Sequence, residues 1–190
     1  MTRAFLPVVA LVLGACAGTQ PQKPATTVIE MPLAQPTAEH KRLLERVGTW
    51  EGTLTSFMPG APPQAVAARE VVEPIGPFWT QVRFTCDFMG TPYLGMGVTG
   101  YDPEKKKYIS TWTDSMSSYF AFMEGELDAS GKRMVTHYDA PDMTGTIQPH
   151  RIETVFGDDT YSSTFYMGEG DGTKVMVIEM ERTGGAPGVR

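Results

Sequence analysis

From about residue 48 onward, apolar residues recur at every second position, and turn signals interrupt that alternation at short spacing. The stretch 78–88 is the clearest case. Phe78, Val82, Phe84, Cys86 and Phe88 share one face, while Trp79, Gln81, Arg83, Thr85 and Asp87 share the other. Side chains two apart lie on the same side of a strand, so this reads as a strand with one face in a core and one in water. Asp102-Pro103-Glu104-Lys105 places Asp and Pro where a type I turn takes them. Ala129-Ser130-Gly131, Gly157-Asp158-Asp159 and Gly168-Glu169-Gly170-Asp171-Gly172 read as further hairpin tips. Between the tips the pattern predicts about ten strands, at 49–57, 67–73, 78–89, 92–101, 106–114, 119–128, 133–139, 151–156, 160–167 and 174–182. No gap is long enough for a parallel crossover, so the expectation is all-β, an antiparallel up-and-down meander. Closing it into a barrel removes its edges most simply, with a two-sheet sandwich as the alternative.

One short helix is expected ahead of the strands. Thr37 suits an N-cap, Glu39 suits the positive helix start, and Leu43, Leu44 and Val47 form one apolar stripe before Gly48 ends it. His40 falls on the polar face of that helix, where solvation is expected.

The N-terminus predicts location. Arg3 precedes an apolar run from Ala4 to Leu13, too short to span a bilayer, followed by Leu13-Gly14-Ala15-Cys16. Residues 1–15 therefore read as a signal peptide. An ordinary cut after Ala17 is the alternative, because Ala15-Cys16-Ala17 also fits the small-x-small cleavage pattern. Residues 16–36, with Pro21, Pro24, Pro32 and Pro36, read as an extended tether. Its reach is on the order of 3 Å per residue where it is polyproline-like. Residues 37–183 form one domain and 184–190 a frayed tail.

The charge balance, 16 basic against 22 acidic side chains, provides no basic face for nucleic acid. Only Lys105-Lys106-Lys107 clusters, in an expected turn. Cys86 falls on an apolar face and reads as an inert core residue.

Several strings carry a resemblance. Leu13-Gly14-Ala15-Cys16 resembles the lipobox of bacterial lipoproteins, which implies that Cys16 is lipidated. Ala17 after the cysteine, in place of an aspartate, implies by resemblance delivery to the outer membrane, facing the periplasm. Gly48-Thr49-Trp50 at the helix–strand junction resembles the Gly-x-Trp signature of lipocalin-like (calycin) barrels. That resemblance implies an arginine from the last strand packed over Trp50; Arg182 is the candidate, giving structural closure of the barrel end. Further strings are Gly97-Val98-Thr99-Gly100-Tyr101-Asp102, Lys107 to Met116, Gly125, Gly131-Lys132, Glu39-His40 to Glu51-Gly52, and Glu179-Met180-Glu181-Arg182. Together they resemble the bacterial domain-of-unknown-function 1579 family across nearly the whole domain. The resemblance implies a lipocalin-like barrel and no established activity.

Chemistry-bearing constellations are sparse. The Gly168–Gly172 string lacks the Lys-Ser/Thr and the strand-to-helix context of a phosphate loop. His40, His137 and His150 lack metal-ligand spacing, so no metal site or cofactor is expected, although His150 keeps a haem reading open. Asp114, Ser115 and His137 contain the residue types of a hydrolytic triad without a nucleophile elbow. Glu124, Glu126 and Asp128 read as a solvated face. Twelve methionines, among them Met89, Met96, Met116, Met123, Met134, Met167, Met176 and Met180 near strands, suit either a filled interior or an adaptable apolar cavity.

Strand 108–114 decides most. Tyr108, Ser110, Trp112 and Asp114 share a face that, if inward, would orient a ligand with a polar end. The leading expectation is a barrel binding a small apolar or amphipathic ligand, with Tyr101, Trp112, Asp114, Met116 and Phe122 at the cavity or its rim. A non-catalytic envelope interaction module is the second reading, through exposed Phe57 and Met58 in the Pro-rich loop 57–63. An enzyme acting through Asp114 is third.

Overall fold

The computed structural model describes residues 34–185. The expected signal peptide (residues 1–15), Cys16, most of the expected tether and the last five residues of the expected tail lie outside the described residues. Helix α1 spans Ala38–Leu44, with Thr37 at its N-cap. A helix of this length holds little stability of its own and depends on packing. Leu43 is buried against the neighbouring sheet, and so is His40. The expected solvation of His40 is therefore wrong. Its Nδ1 accepts the Thr37 N–H at 3.1 Å, and its ring meets Phe78 and Tyr101 edge-on at 5.2 and 5.7 Å. The helix also stops at Leu44, short of Gly48, and a tight turn through Val47 leads into the first strand.

Ten strands follow: β1 Gly48–Ser56, β2 Gln64–Ile75, β3 Trp79–Phe88, β4 Thr91–Asp102, β5 Lys107–Asp114, β6 Ser117–Leu127, β7 Arg133–Pro141, β8 Ile147–Phe156, β9 Thr160–Met167 and β10 Thr173–Gly184. Each pairs antiparallel with its sequence neighbours, and β1 pairs with β10, so the meander closes into a barrel and the sandwich is excluded. Gly184, expected in a frayed tail, instead pairs with Thr49 in that closing ladder. The turn chemistry is local. Asp102 Oδ1 accepts the Glu104 and Lys105 N–H groups, Asp128 Oδ1 accepts those of Lys132 and Arg133, and Asp142 Oδ1 accepts those of Thr144 and Thr146.

The meander places the hairpins alternately at two ends. Helix α1, the start of β1 and the end of β10 share one end. The hairpins β1–β2, β3–β4, β5–β6, β7–β8 and β9–β10 ring the other, the mouth. Trp50, Leu54, Val72, Phe84, Ile178 and Met180 pack as the core at and above the helix end. The ladders are long except between β6 and β7, which pair only from Glu124 to Leu127 against Met134 to His137.

Candidate functional site

The inward alternate positions do not fill the barrel. They enclose a cavity of about 700 Å³ that runs from the helix end to the mouth. Its waist is apolar, formed by Leu54, Phe84, Met123, Ile152, Phe165 and Ile178. A volume in this range and such a lining are typical of small-molecule sites. Which face of β5 points inward is open from the sequence; in the structure it is the one with Tyr108, Ser110, Trp112 and Asp114, all of which line the cavity.

Two polar constellations bracket the waist. Near the mouth, Trp112 Nε1 donates to Tyr93 Oη at 3.1 Å. Burial pushes the Tyr93 phenol well above its ordinary range, and the neighbouring Asp114 carboxylate adds to that. Trp112 sits where it does because β4 has glycines opposite: a Cβ on Gly95 would fall 2.1 Å from Trp112 Cζ2, and one on Gly97 would fall 2.9 Å from Cε3. The indole thus lies flat on the neighbouring strand and faces the cavity with its other side.

At the helix end the floor is charged. Glu70, buried on β2, accepts the Tyr161 hydroxyl at 2.9 Å and pairs with Arg46 Nη2 at 3.3 Å. The Arg46 guanidinium lies 4.1 Å from the Tyr161 ring centre, 4.5 Å from that of Trp50 and 5.2 Å from that of Phe156. Burial drives the Glu70 carboxyl above its ordinary range despite the pull of Arg46 in the opposite direction. Tyr108, at the same end, has a buried hydroxyl with no hydrogen-bond partner among the described residues. Desolvation holds that phenol up to about 12, so it stays a donor at neutral pH.

Trp50 closes the floor from below. It is 2 % exposed, and its Nε1 donates to the Arg46 carbonyl at 3.0 Å. Arg182 lies over its ring at 4.1 Å, while its guanidinium donates to Val47 and Glu45 carbonyls at 2.7 Å each and to Asp159 at 2.9 Å. One side chain thus ties β10, the turn after α1 and the β8–β9 hairpin together.

Of the five residues expected at the cavity or rim, Trp112, Asp114 and Met116 line it, Met116 from an exposed hairpin tip. Two do not. Tyr101 packs against Tyr108 and His40 beneath α1, and Phe122 points out of the barrel, half exposed, with Lys105 Nζ 5.7 Å from its ring centre. The methionines divide likewise: Met123, Met134 and Met176 line the cavity and Met180 is core, whereas Met89 and Met96 are exposed. Cys86 is half-buried against the core, and burial raises its thiol, which leaves little reactive thiolate.

The rival constellations do not assemble. Asp114 sits at the mouth inside the barrel, whereas His137 borders a shallow outer groove with Phe122 and Glu124, so no triad forms. His150 is stacked on Tyr138 with ring centres 4.8 Å apart and is not on the cavity wall, where an axial ligand would have to stand. Glu124 binds Lys105 and Lys107 at 2.6 and 3.2 Å on the outer face. Among the described residues, no three His, Cys, Asp or Glu side chains gather as a metal site would require. In loop 57–63, Phe57 and Met58 are half-buried and not exposed as expected, with Lys174 Nζ 4.1 Å from the Phe57 ring centre. The exposed part of that loop is Pro59 to Pro63.

Sequence reasoning missed Arg46, Glu70, Tyr93 and Tyr161. A signal existed for Glu70. It alternates with Ala68 and Val72, so it is a carboxylate on an otherwise apolar face. No helix among the described residues is long and apolar enough to cross a membrane. No curated protein matches the chain with significant similarity. Residues 35–183 match the family described as "Protein of unknown function (DUF1579)", and the chain belongs to that family.

Proposed function

We propose that this protein is a lipid-anchored container that holds one small apolar or amphipathic molecule inside a lipocalin-like barrel. The observation that carries the reading is the cavity: large, apolar at its waist and polar at both ends. A cavity of this size with an apolar lining and a few polar groups has the make-up of a small-molecule site. An amphipathic occupant would lay its apolar part along the waist and meet Trp112, Asp114 or the Tyr108 hydroxyl with its polar end. Location follows from the N-terminal sequence: Cys16 carries the lipid, Ala17 directs the protein to the outer membrane, and the tether holds the domain in the periplasm.

N-phenyl-1-naphthylamine, an uncharged fluorophore, tests the container directly. The wild-type domain is expected to bind it saturably, one per chain, with a blue-shifted emission. Ala121→Phe adds a ring beside Trp112, at an inward position paired with it across the β5–β6 ladder. The variant should fold and lose at least about tenfold in affinity, since the fluorophore and the new ring compete for one space. Non-saturable binding, or equal affinity in the variant, would count against an interior site.

A further inference from the structure

The cavity floor contains a feature that an inert container does not need. An apolar pocket closed by tryptophan and packing would be satisfied without charge, yet Arg46 and Glu70 both line it. Burying an ion pair is costly unless the pair is fully hydrogen-bonded, and replacing such a pair with apolar residues is often neutral or stabilising. Here Arg46 holds one carboxylate oxygen at 3.3 Å, while Glu70's other oxygen is taken by Tyr161. A guanidinium has five donors in a planar fork suited to bidentate carboxylate binding. Next to Glu70 on the adjoining strands stand Trp50 and Phe84, which carry no charge. The other charged side chains lining this end are Arg42, Glu45, Asp158 and Arg182. Arg42 is bonded to the Gly131 carbonyl, and Arg182 to Asp159 and two backbone carbonyls. Arg46 is therefore the cation open to exchange.

Resting on the container reading, we propose that the ligand is a long-chain monocarboxylic acid whose carboxylate binds Arg46, with Glu70 as the counter-ion it displaces. The exchange conserves charge. A ligand carboxylate replaces the Glu70 carboxylate on Arg46, and Glu70 takes a proton from solvent, or from the acid itself when that enters protonated. Burial has already moved Glu70 toward its neutral form. A neutral Glu70 retains Tyr161 as its hydrogen-bonding neighbour, and the orphan Tyr108 hydroxyl offers a further donor at the same end. An amine head would instead leave one net positive charge buried beside Arg46, and a neutral head would leave the existing pair in place without using it.

Three matched probes separate the outcomes: hexadecanoic acid, hexadecanol and methyl hexadecanoate, each titrated against the full protein by calorimetry. In the wild type the acid should bind at least about tenfold more tightly than the alcohol or the ester, the scale of a charge-assisted hydrogen bond. Its affinity should fall as the pH is raised from neutral, because binding takes up a proton. Glu70→Gln removes the competing anion and the need for the proton. Acid binding should tighten about tenfold and lose its pH dependence, while the alcohol is unchanged. Arg46→Gln should abolish the preference for the acid. The tightening in Glu70→Gln requires a folded protein, so it stands even if Arg46→Gln proves unstable. If the wild type binds alcohol and acid equally, or Glu70→Gln does not tighten acid binding, the head-group assignment is overturned and the container reading survives. If none of the three probes binds while N-phenyl-1-naphthylamine does, the long-chain acid is overturned and the container reading survives; if the fluorophore fails as well, both fall.

Discussion

Trp50→Ala is expected to cost about 3–5 kcal/mol, a large share of the roughly 5–15 kcal/mol that holds a domain of this kind folded. The indole is almost wholly buried and lies at the centre of everything that closes the helix end. Its Nε1 holds the Arg46 carbonyl, its ring carries the Arg46 and Arg182 guanidiniums, and Tyr161 meets it edge-on at 5.5 Å. Truncation opens a void in a packed region, strips Arg182 of its aromatic surface and leaves Arg46 with only the Tyr161 and Phe156 rings, each lost contact being worth about 0.5–2 kcal/mol. Trp112→Ala should cost distinctly less, because that ring already borders open space. Urea denaturation of both variants measures the difference. A Trp50→Ala protein within about 1 kcal/mol of wild type would mean that Trp50 does not close the barrel, since even an average substitution costs that much.

Gly52→Ala should be comparably damaging, about 3 kcal/mol or more, the upper range for overpacking. Gly52 lies in the β1–β10 ladder that turns an open meander into a barrel, opposite Met180. A Cβ there would stand 1.9 Å from the Glu179 carbonyl oxygen and 2.9 Å from Met180 Cα. These are backbone atoms held by the ladder, so the clash is relieved only by parting the strands. Gly184→Ala is the control from the same ladder, because its Cβ would meet Thr49 at an ordinary 3.5 Å. Thermal melts should show a large loss for the first substitution and almost none for the second. Equal melting temperatures would contradict the closed β1–β10 seam.

The fold was legible where contrast between the two faces of a strand is strong. In β3, charged and polar residues alternate with Val82, Phe84, Cys86 and Phe88, so strand and inward face can both be read. In β6 the contrast disappears. Phe120 and Phe122 point outward while Tyr119, Ala121 and Met123 point inward, and residue type alone does not separate the faces. Residue type therefore does not distinguish Phe122 from a cavity-lining position. Tyr101 departs from the expectation for a different reason. Its strand position is inward, but α1 folds over that end and claims the ring, and a tertiary contact of this kind has no local signal. His40 shows the same effect from the helix side: a residue on the polar stripe is buried because the barrel lies beneath it.

The candidate site was half legible. The mixed face of β5 pointed to Trp112 and Asp114. The floor did not stand out, because Arg46 is one charged residue among several in the stretch expected as helix, and Glu70 sits in a strand with low hydrophobic contrast. Their pairing joins positions 24 residues apart and becomes visible only once β2 lies beside β1.

The central claim is that the barrel interior is an occupied binding site. Native mass spectrometry of the protein purified from the cells that make it tests this most directly. The native protein should be heavier than the denatured protein by one small molecule, and that added mass should be absent from Ala121→Phe. A native mass equal to the denatured mass, from protein that also fails to take up N-phenyl-1-naphthylamine, would refute an occupied interior.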